Sequence, residues 1–319
     1  MPSRLVTGLI IAFWAATLVW FGYRDLWLRW APAESPPFVI DLADEATVNN
    51  EVLWLIYRQP IRGGEPEEIG IARTYLTFFN ADDTFELTSE LANVELTKMV
   101  RVPKLKNTYR VTRSGELRSL SADGELRLQL FGLPIRGEAA VAAHVKGEVL
   151  VRSAVITLPV IGKVTPTLED VPAPRGSVLN PLHPVSRIKG LSPGRRWQMP
   201  LVDPLADMVQ PTIESAAKKV RESDSPLSIS LPKAPKTLSA EVLRESAEIY
   251  FDGADHACHI IEYSGRDNEP PARTFVRIKD GMVLRQEAST MSERIYLQRV
   301  SARDKVRSKS SQYFQPKKP

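Results

Sequence analysis

The stretch ARTFVRIKDGMVLRQEAS, Ala272–Ser289, decides the fold class. Asp280–Gly281 stands between two runs rich in β-branched, aromatic and aliphatic residues, and Asp-Gly so placed is the strongest short-range signal for a β-hairpin. A two-residue loop there pairs Ile278 with Val283 and Arg277 with Leu284. Apolar and charged residues then share both faces. That pattern suits a curved sheet, in which long Arg and Lys stems lie over apolar surface, better than a one-sided sandwich.

Working outward, AEIYFDGADHACHIIEYS precedes this hairpin and ERIYLQRV follows it, which makes 239–300 a β-meander. The same texture fills 51–158. Glu51–Gln59, Ile69–Asn80 and Phe85–Leu96 are strand candidates, and the Leu/Glu content of the third leaves a helix open. Short strands are expected to be punctuated by turns at Ser114–Gly115 and Asp123–Gly124, with Gly132 and Gly147 marking turns or bulges. Between the two halves, 159–204 carries nine prolines in 46 residues. Proline lacks the N–H that helices and ladders need, so this stretch is expected to be an ordered connector. It ends in GLSPGRRWQMPLVDPL, Gly190–Leu205. Residues 205–223 place Leu205, Met208, Val209, Ile213, Ala216, Ala217 and Val220 at helical spacing. Asp203 is the expected N-cap, Pro204 the first helical residue, and Pro211 a kink.

Leu5–Tyr23 is an uncharged run of 19 residues. As a helix it spans about 28 Å, close to the hydrocarbon thickness of a bilayer. The bulky RDLWLRW follows instead of a small-residue cleavage site. Residues 1–31 therefore read as an uncleaved transmembrane anchor with its flanks, and 32–50, opening on APAESPP, as a stalk. A long domain behind an N-terminal anchor is expected outside the cytoplasm, which makes this a single-pass protein of the cell membrane with a periplasmic body.

The formal net charge is +4, with an uneven distribution. Residues 301–319 hold six Lys/Arg and one Asp, and form a basic tail expected to be disordered. Residues 32–300 carry −3, so the folded body is not a basic nucleic-acid surface. The expected partners are the bilayer through residues 5–23, an anionic surface through the tail, and a protein or apolar ligand on the body. Nucleic acid is not among them.

Chemistry-bearing residues gather in DHACHIIEY, which holds Asp255, His256, Cys258 and His259. On a strand His256 and Cys258 share one face while His259 points to the other, so Cys258 and His259 make a poor dyad. A metal on His256 and Cys258 needs further ligands, and a lone cysteine among Ala257, Ile260 and Ile261 is more often a small buried hydrophobe. His144 and His183 are isolated, and the sequence has no GxSxG, HExxH, Walker A or GxGxxG pattern. No catalytic, cofactor-binding or metal-binding residue is assigned, and no cofactor is expected.

Three patches resemble a β-rich extracytoplasmic module that lies ahead of the catalytic domain in bacterial transglutaminase-like proteins. EVLWLIYRQPIRGGEPEEIGIARTYLT resembles its opening. Gly190–Trp197 resembles its G-x-x-P-G-x-x-W connector, and FVRIKDGMVLRQEA resembles its closing hairpin, with Phe275 or Val276 where tryptophan is expected. Half-barrel periplasmic proteins of the lipoprotein-carrier type are broadly similar. Transglutaminase-like catalysis takes Cys, His and Asp in chain order, and the only histidine after Cys258 is its neighbour His259. The resemblance thus implies a mainly β, antiparallel fold, a curved meander or half-barrel, with one short kinked helix and no catalytic half. Trp197 is expected under a crossing loop. The function expected is a membrane-anchored, non-enzymatic envelope module that binds a partner protein or an apolar, lipid-like ligand. The alternatives are a structural subunit of an envelope assembly, or a hydrolase with an unrecognised site.

Overall fold

A computed structural model describes residues 42, 51–97, 100–130, 133–159, 162–165, 168–173, 187–200, 237–265, 270–289 and 292–301. The anchor at 5–23, most of the stalk, His183, Asp203, the helix expected over 205–223 and the basic tail lie outside these residues. Among the described residues no helix is long and apolar enough to cross a membrane.

The described chain is mainly antiparallel β-sheet. Its strands are β1 (Val52–Pro60), β2 (Glu67–Phe79), β3 (Thr84–Thr97), β4 (Val100–Thr112), β5 (Leu117–Leu130), β6 (Leu133–Lys146), β7 (Val149–Leu158), β8 (Gly162–Val164), β9 (Val171–Pro172), β10 (Arg196–Pro200), β11 (Thr237–Phe251), β12 (Ala254–Ser264), β13 (Ala272–Arg277), β14 (Val283–Ser289) and β15 (Glu293–Arg299). Phe85–Leu96, where a helix was left open, is strand. The proline-rich stretch 159–204 is more regular than expected, since it contributes β8, β9 and β10.

One sheet joins all of them, in the order β10 to β15, then β1 to β8, with β9 on β7. The C-terminal meander thus continues into the N-terminal one across a single seam. There β1 runs antiparallel to β15, from Trp54 opposite Arg299 to Pro60 opposite Glu293.

Both faces of the sheet carry apolar clusters. Trp54, Ala72, Val242, Ile261, Tyr263, Val276 and Val283 share one face, where Trp197 and Ile188 join them. On that face a second cluster gathers Phe85, Val111, Leu120, Ala122, Val141 and Ala143, and Leu42, within the stretch read as stalk, is buried in it. The opposite face holds Ile249, Cys258, Ile260, Phe275 and Leu284, and separately Leu53, Ile71 and Ala92.

The deciding hairpin forms with a different register from the one expected. Asp280 keeps a negative φ and only Gly281 is left-handed, at 73°. A type I′ loop needs positive φ at both central residues, so a two-residue loop is ruled out. Arg277 N–H donates to the Met282 carbonyl at 2.7 Å, which leaves Ile278–Gly281 as a four-residue loop. Arg277 holds Asp280 through Nε–Oδ1 at 2.8 Å and a second bond at 2.6 Å, and the Met282 N–H donates to the same carboxylate. Val276 therefore pairs with Val283, Phe275 with Arg285, and a register shift lies between them. The shift sorts the side chains. Val276 and Val283 enter one core while Phe275 and Leu284 enter the opposite one. On that second face Arg277 lies over the Phe251 ring and Arg285 over the Phe275 ring, so the mixing expected of both faces is found on this one.

A second correction concerns Asp123–Gly124. This pair is not a turn, because β5 runs through it unbroken. A Cβ on Gly124 would lie 2.9 Å from Leu105 Cδ1, so glycine here makes room for the neighbouring strand.

Candidate functional site

Strand alternation divides the DHACHIIEY residues as expected. His256, Cys258 and Ile260 lie on one face of β12, and His259 and Ile261 on the other. Cys258 is fully buried, and its thiol donates to the His256 carbonyl at 3.4 Å. Burial raises the thiol to about 11, only partly offset by Arg277. The His256 ring bonds instead to the Phe251 carbonyl at 3.1 Å. Desolvation lowers His259, which favours the neutral ring. A thiol this hard to ionise, with no imidazole facing it, is a poor nucleophile and metal ligand. Among the described residues no group of three or more His, Cys, Asp or Glu is placed to hold a metal ion.

GLSPGRRWQMP becomes a sheet edge. The Gly194 N–H donates to the Val242 carbonyl, and the Val242 N–H donates back to Arg195. Trp197 then pairs with Ala240 and is buried, in one cluster with Ile188 and Leu191 of the segment that runs from the Gly281 loop to β10. Arg196 faces outward and grips Glu241 with two bonds, at 2.8 and 3.1 Å. Arg196 thus pairs with an acid on the neighbouring strand, while Arg195 is exposed.

The more suggestive chemistry surrounds Trp197. Its ring meets Tyr263 edge to face, with centroids 6.5 Å apart at 82°. Tyr263 sits opposite Ala272, beside Thr274 on the neighbouring strand, and both are buried on this face. Burial pushes the Tyr263 phenol far above its usual range, and an interaction with the Thr274 hydroxyl works against that rise. The two oxygens thus approach one another without reaching good hydrogen-bonding geometry, and neither has another partner among the described residues. Gln286 is directly opposite Thr274 and also buried. Trp54 is satisfied by contrast, since its Nε1–H donates to Thr74 Oγ1 at 3.0 Å. A row of polar side chains thus crosses an otherwise apolar face. Sequence reasoning missed Tyr263 and Thr274 because each is an ordinary β-former in its own strand, and only the register brings them together.

The opposite face at the seam is a closed electrostatic network. Glu287 is 7 % exposed, and Arg285 approaches it at 2.8 Å and Arg294 at 3.8 Å. The Arg285 guanidinium lies 3.7 Å from the Tyr296 ring centroid, and Tyr296 stacks on Tyr57 at 5.1 Å. Arg285 and Arg294 both pair with Glu287, so this network fastens β14 to β15, although Arg285 Nε makes no well-formed hydrogen bond among the described residues.

No family model matches the chain, and no curated protein matches it. Among solved structures it is similar to the crystal structure of a β-barrel-like protein of domain of unknown function DUF1849 from Brucella abortus. That likeness has a TM-score of 0.33 and 8% sequence identity, and covers 79% of this chain and 95% of the other.

Proposed function

We propose that the chain is a membrane-anchored, non-enzymatic module held outside the cytoplasm, in the bacterial envelope, which takes an apolar, lipid-like ligand on the face of Trp197 and Tyr263. The sheet is read here as a curved, half-barrel-like meander. In support, β11 and β14 are three places apart in strand order, about 14 Å if the sheet were flat, yet approach within 8 Å between Cα atoms. The observation that carries the proposal is the pair of buried hydroxyls, Tyr263 Oη and Thr274 Oγ1, which lie together in apolar surroundings with no well-formed hydrogen bond among the described residues. Burying a hydroxyl unpaired costs about 1–3 kcal/mol. A ligand with an apolar body and a polar end supplies the missing bonds and the apolar contact together, which is the usual make-up of a small-molecule site. The anchor rests on the uncharged run Leu5–Tyr23.

The test uses the full chain in neutral detergent, with a long-chain fatty acid as probe and tryptophan fluorescence as readout. Saturable binding is expected, weakened several-fold by Tyr263→Phe and Thr274→Val while both variants keep their thermal transition. Unchanged fluorescence, or equal binding by the variants, overturns the ligand reading. Separately, the protein is expected in the alkali-washed membrane fraction with its N-terminus intact. A mature N-terminus near Ala31 overturns the anchor.

A further inference from the structure

The register places three arginines side by side across three strands. Arg101 of β4 is directly opposite Arg127 of β5, and Arg127 is directly opposite Arg136 of β6. Direct cross-strand partners point to the same face, with Cβ atoms about 5 Å apart, and like charges so placed repel. The outer two are exposed and the central one is half-buried between them.

Among the described residues this row has little compensation. Arg101 donates to the Asn93 side-chain oxygen at 3.2 Å, a neutral acceptor. Glu95 stands across from Arg101 on β3, and Glu125 and Glu138 lie one row further along, opposite Lys104 and each other. Among the described residues none of these carboxylates forms an ion pair with the row. Arg127 Nε is buried with no hydrogen-bond partner among the described residues. An unpaired donor on a cation, flanked by two more cations, is a costly arrangement for a sheet to keep.

We propose that Arg101, Arg127 and Arg136 form a binding site for a phosphate group. Guanidinium forks match phosphate oxygens bidentately. Adjacent strands are about 4.8 Å apart, so one phosphate seated over Arg127 reaches both neighbours. The phosphate neutralises the repulsion and approaches the buried Nε. The site lies on the sheet face opposite Tyr263 and Phe85, so it is separate from the apolar face and does not depend on a ligand there. Two sources share this chemistry, a free phosphate and the headgroup of an anionic lipid.

The experiment uses the full chain in neutral detergent, with inorganic phosphate and a short-chain phosphatidic acid as separate probes. Each is titrated against chloride at matched ionic strength, with thermal stabilisation as the readout. Arg127→Gln and Arg136→Gln are expected to weaken the response about tenfold or more, the loss of one charge-assisted contact. Arg127→Lys is expected to keep part of it, and Arg113→Gln, on the Asp83 pair elsewhere, to leave it unchanged. In phosphate-free buffer Arg127→Gln is expected to melt no lower than the parent, because it removes a repulsion. A response to both probes identifies a phosphate-sized site, and a response to the lipid alone identifies a headgroup site. If neither probe separates the parent from Arg127→Gln and Arg136→Gln, the proposal is overturned. Arg136 is exposed, so Arg136→Gln decides the matter even if Arg127→Gln fails to fold.

Discussion

At the scale of single residues, Cys258, Gly281 and Asp280 each act through their surroundings. Cys258 is buried and its thiol is raised to about 11. It is expected to resist iodoacetamide at pH 8 in the folded protein and react fully once unfolded. Cys258→Ser is expected to cost about 1 kcal/mol in chemical denaturation, the loss of a small packed group. Gly281 has φ 73°, and a Cβ there would lie 2.5 Å from the Ile188 carbonyl oxygen. Its own carbonyl accepts the Ile188 N–H at 2.7 Å. Gly281→Ala meets both the left-handed backbone and a contact that cannot yield, and about 2–3 kcal/mol of destabilisation is expected. The Asp280 carboxyl is held below its ordinary range first by Arg277 and then by the Met282 N–H, against partial desolvation. A depressed carboxylate stabilises the fold above its unfolded value, near 3.9, and loses that contribution as pH falls through its lower folded value. The group is partly exposed, so screening keeps the effect under about 1 kcal/mol. The stability gap between the parent and Asp280→Asn is therefore expected to be full at neutral pH and to close as pH falls below the ordinary carboxylate value through the lower folded one.

At the scale of elements, one dipeptide occurs three times and does three different things. Asp252–Gly253 has φ 52° and 86°, both left-handed, and joins Phe251 to Ala254 as a two-residue hairpin. Asp280–Gly281 sits in a four-residue loop, because Arg277 holds the aspartate side chain and only the glycine turns left-handed. Asp123–Gly124 is mid-strand. Hairpin chemistry was thus legible in the sequence, and Asp252–Gly253, which sequence analysis passed over, obeys the rule that was applied to Asp280. Gly281 and Gly124 are decided by contacts on distant elements, Ile188 and Leu105, which a window of neighbouring residues does not contain, whereas Arg277, which holds Asp280, is only three residues away. The same holds for function. The face assignment of His256, Cys258 and His259 follows from alternation alone, whereas Tyr263 beside Thr274, and the arginine row, exist only through register. At the edge strand β10, Trp197 packs on Tyr263 while Arg196 reaches outward to Glu241. Trp197→Ala is expected to cost about 3–5 kcal/mol. Arg196→Ala is expected to shift the melting temperature marginally, since its pair is largely exposed.

At the scale of the whole molecule, the seam between β1 and β15 governs cooperativity. Trp54, Ile56 and Leu297 pack at the seam on one face, and Tyr57 stacks on Tyr296 on the other. A chain ending after Ser289 lacks β15 and leaves that edge of β1 open. It is expected to lose the single cooperative thermal transition, and to aggregate through an unpaired apolar strand. The seam also orders events during synthesis. The ribosome delivers β1 early, and β2 can pair with one of its edges at once. The other edge waits for a partner roughly 240 residues downstream. At about 5–20 residues per second that is some tens of seconds with Trp54 half-covered. A nascent chain of this design needs either a holding factor on the strand of Val52–Pro60 or an export route that keeps it unfolded until β15 has emerged.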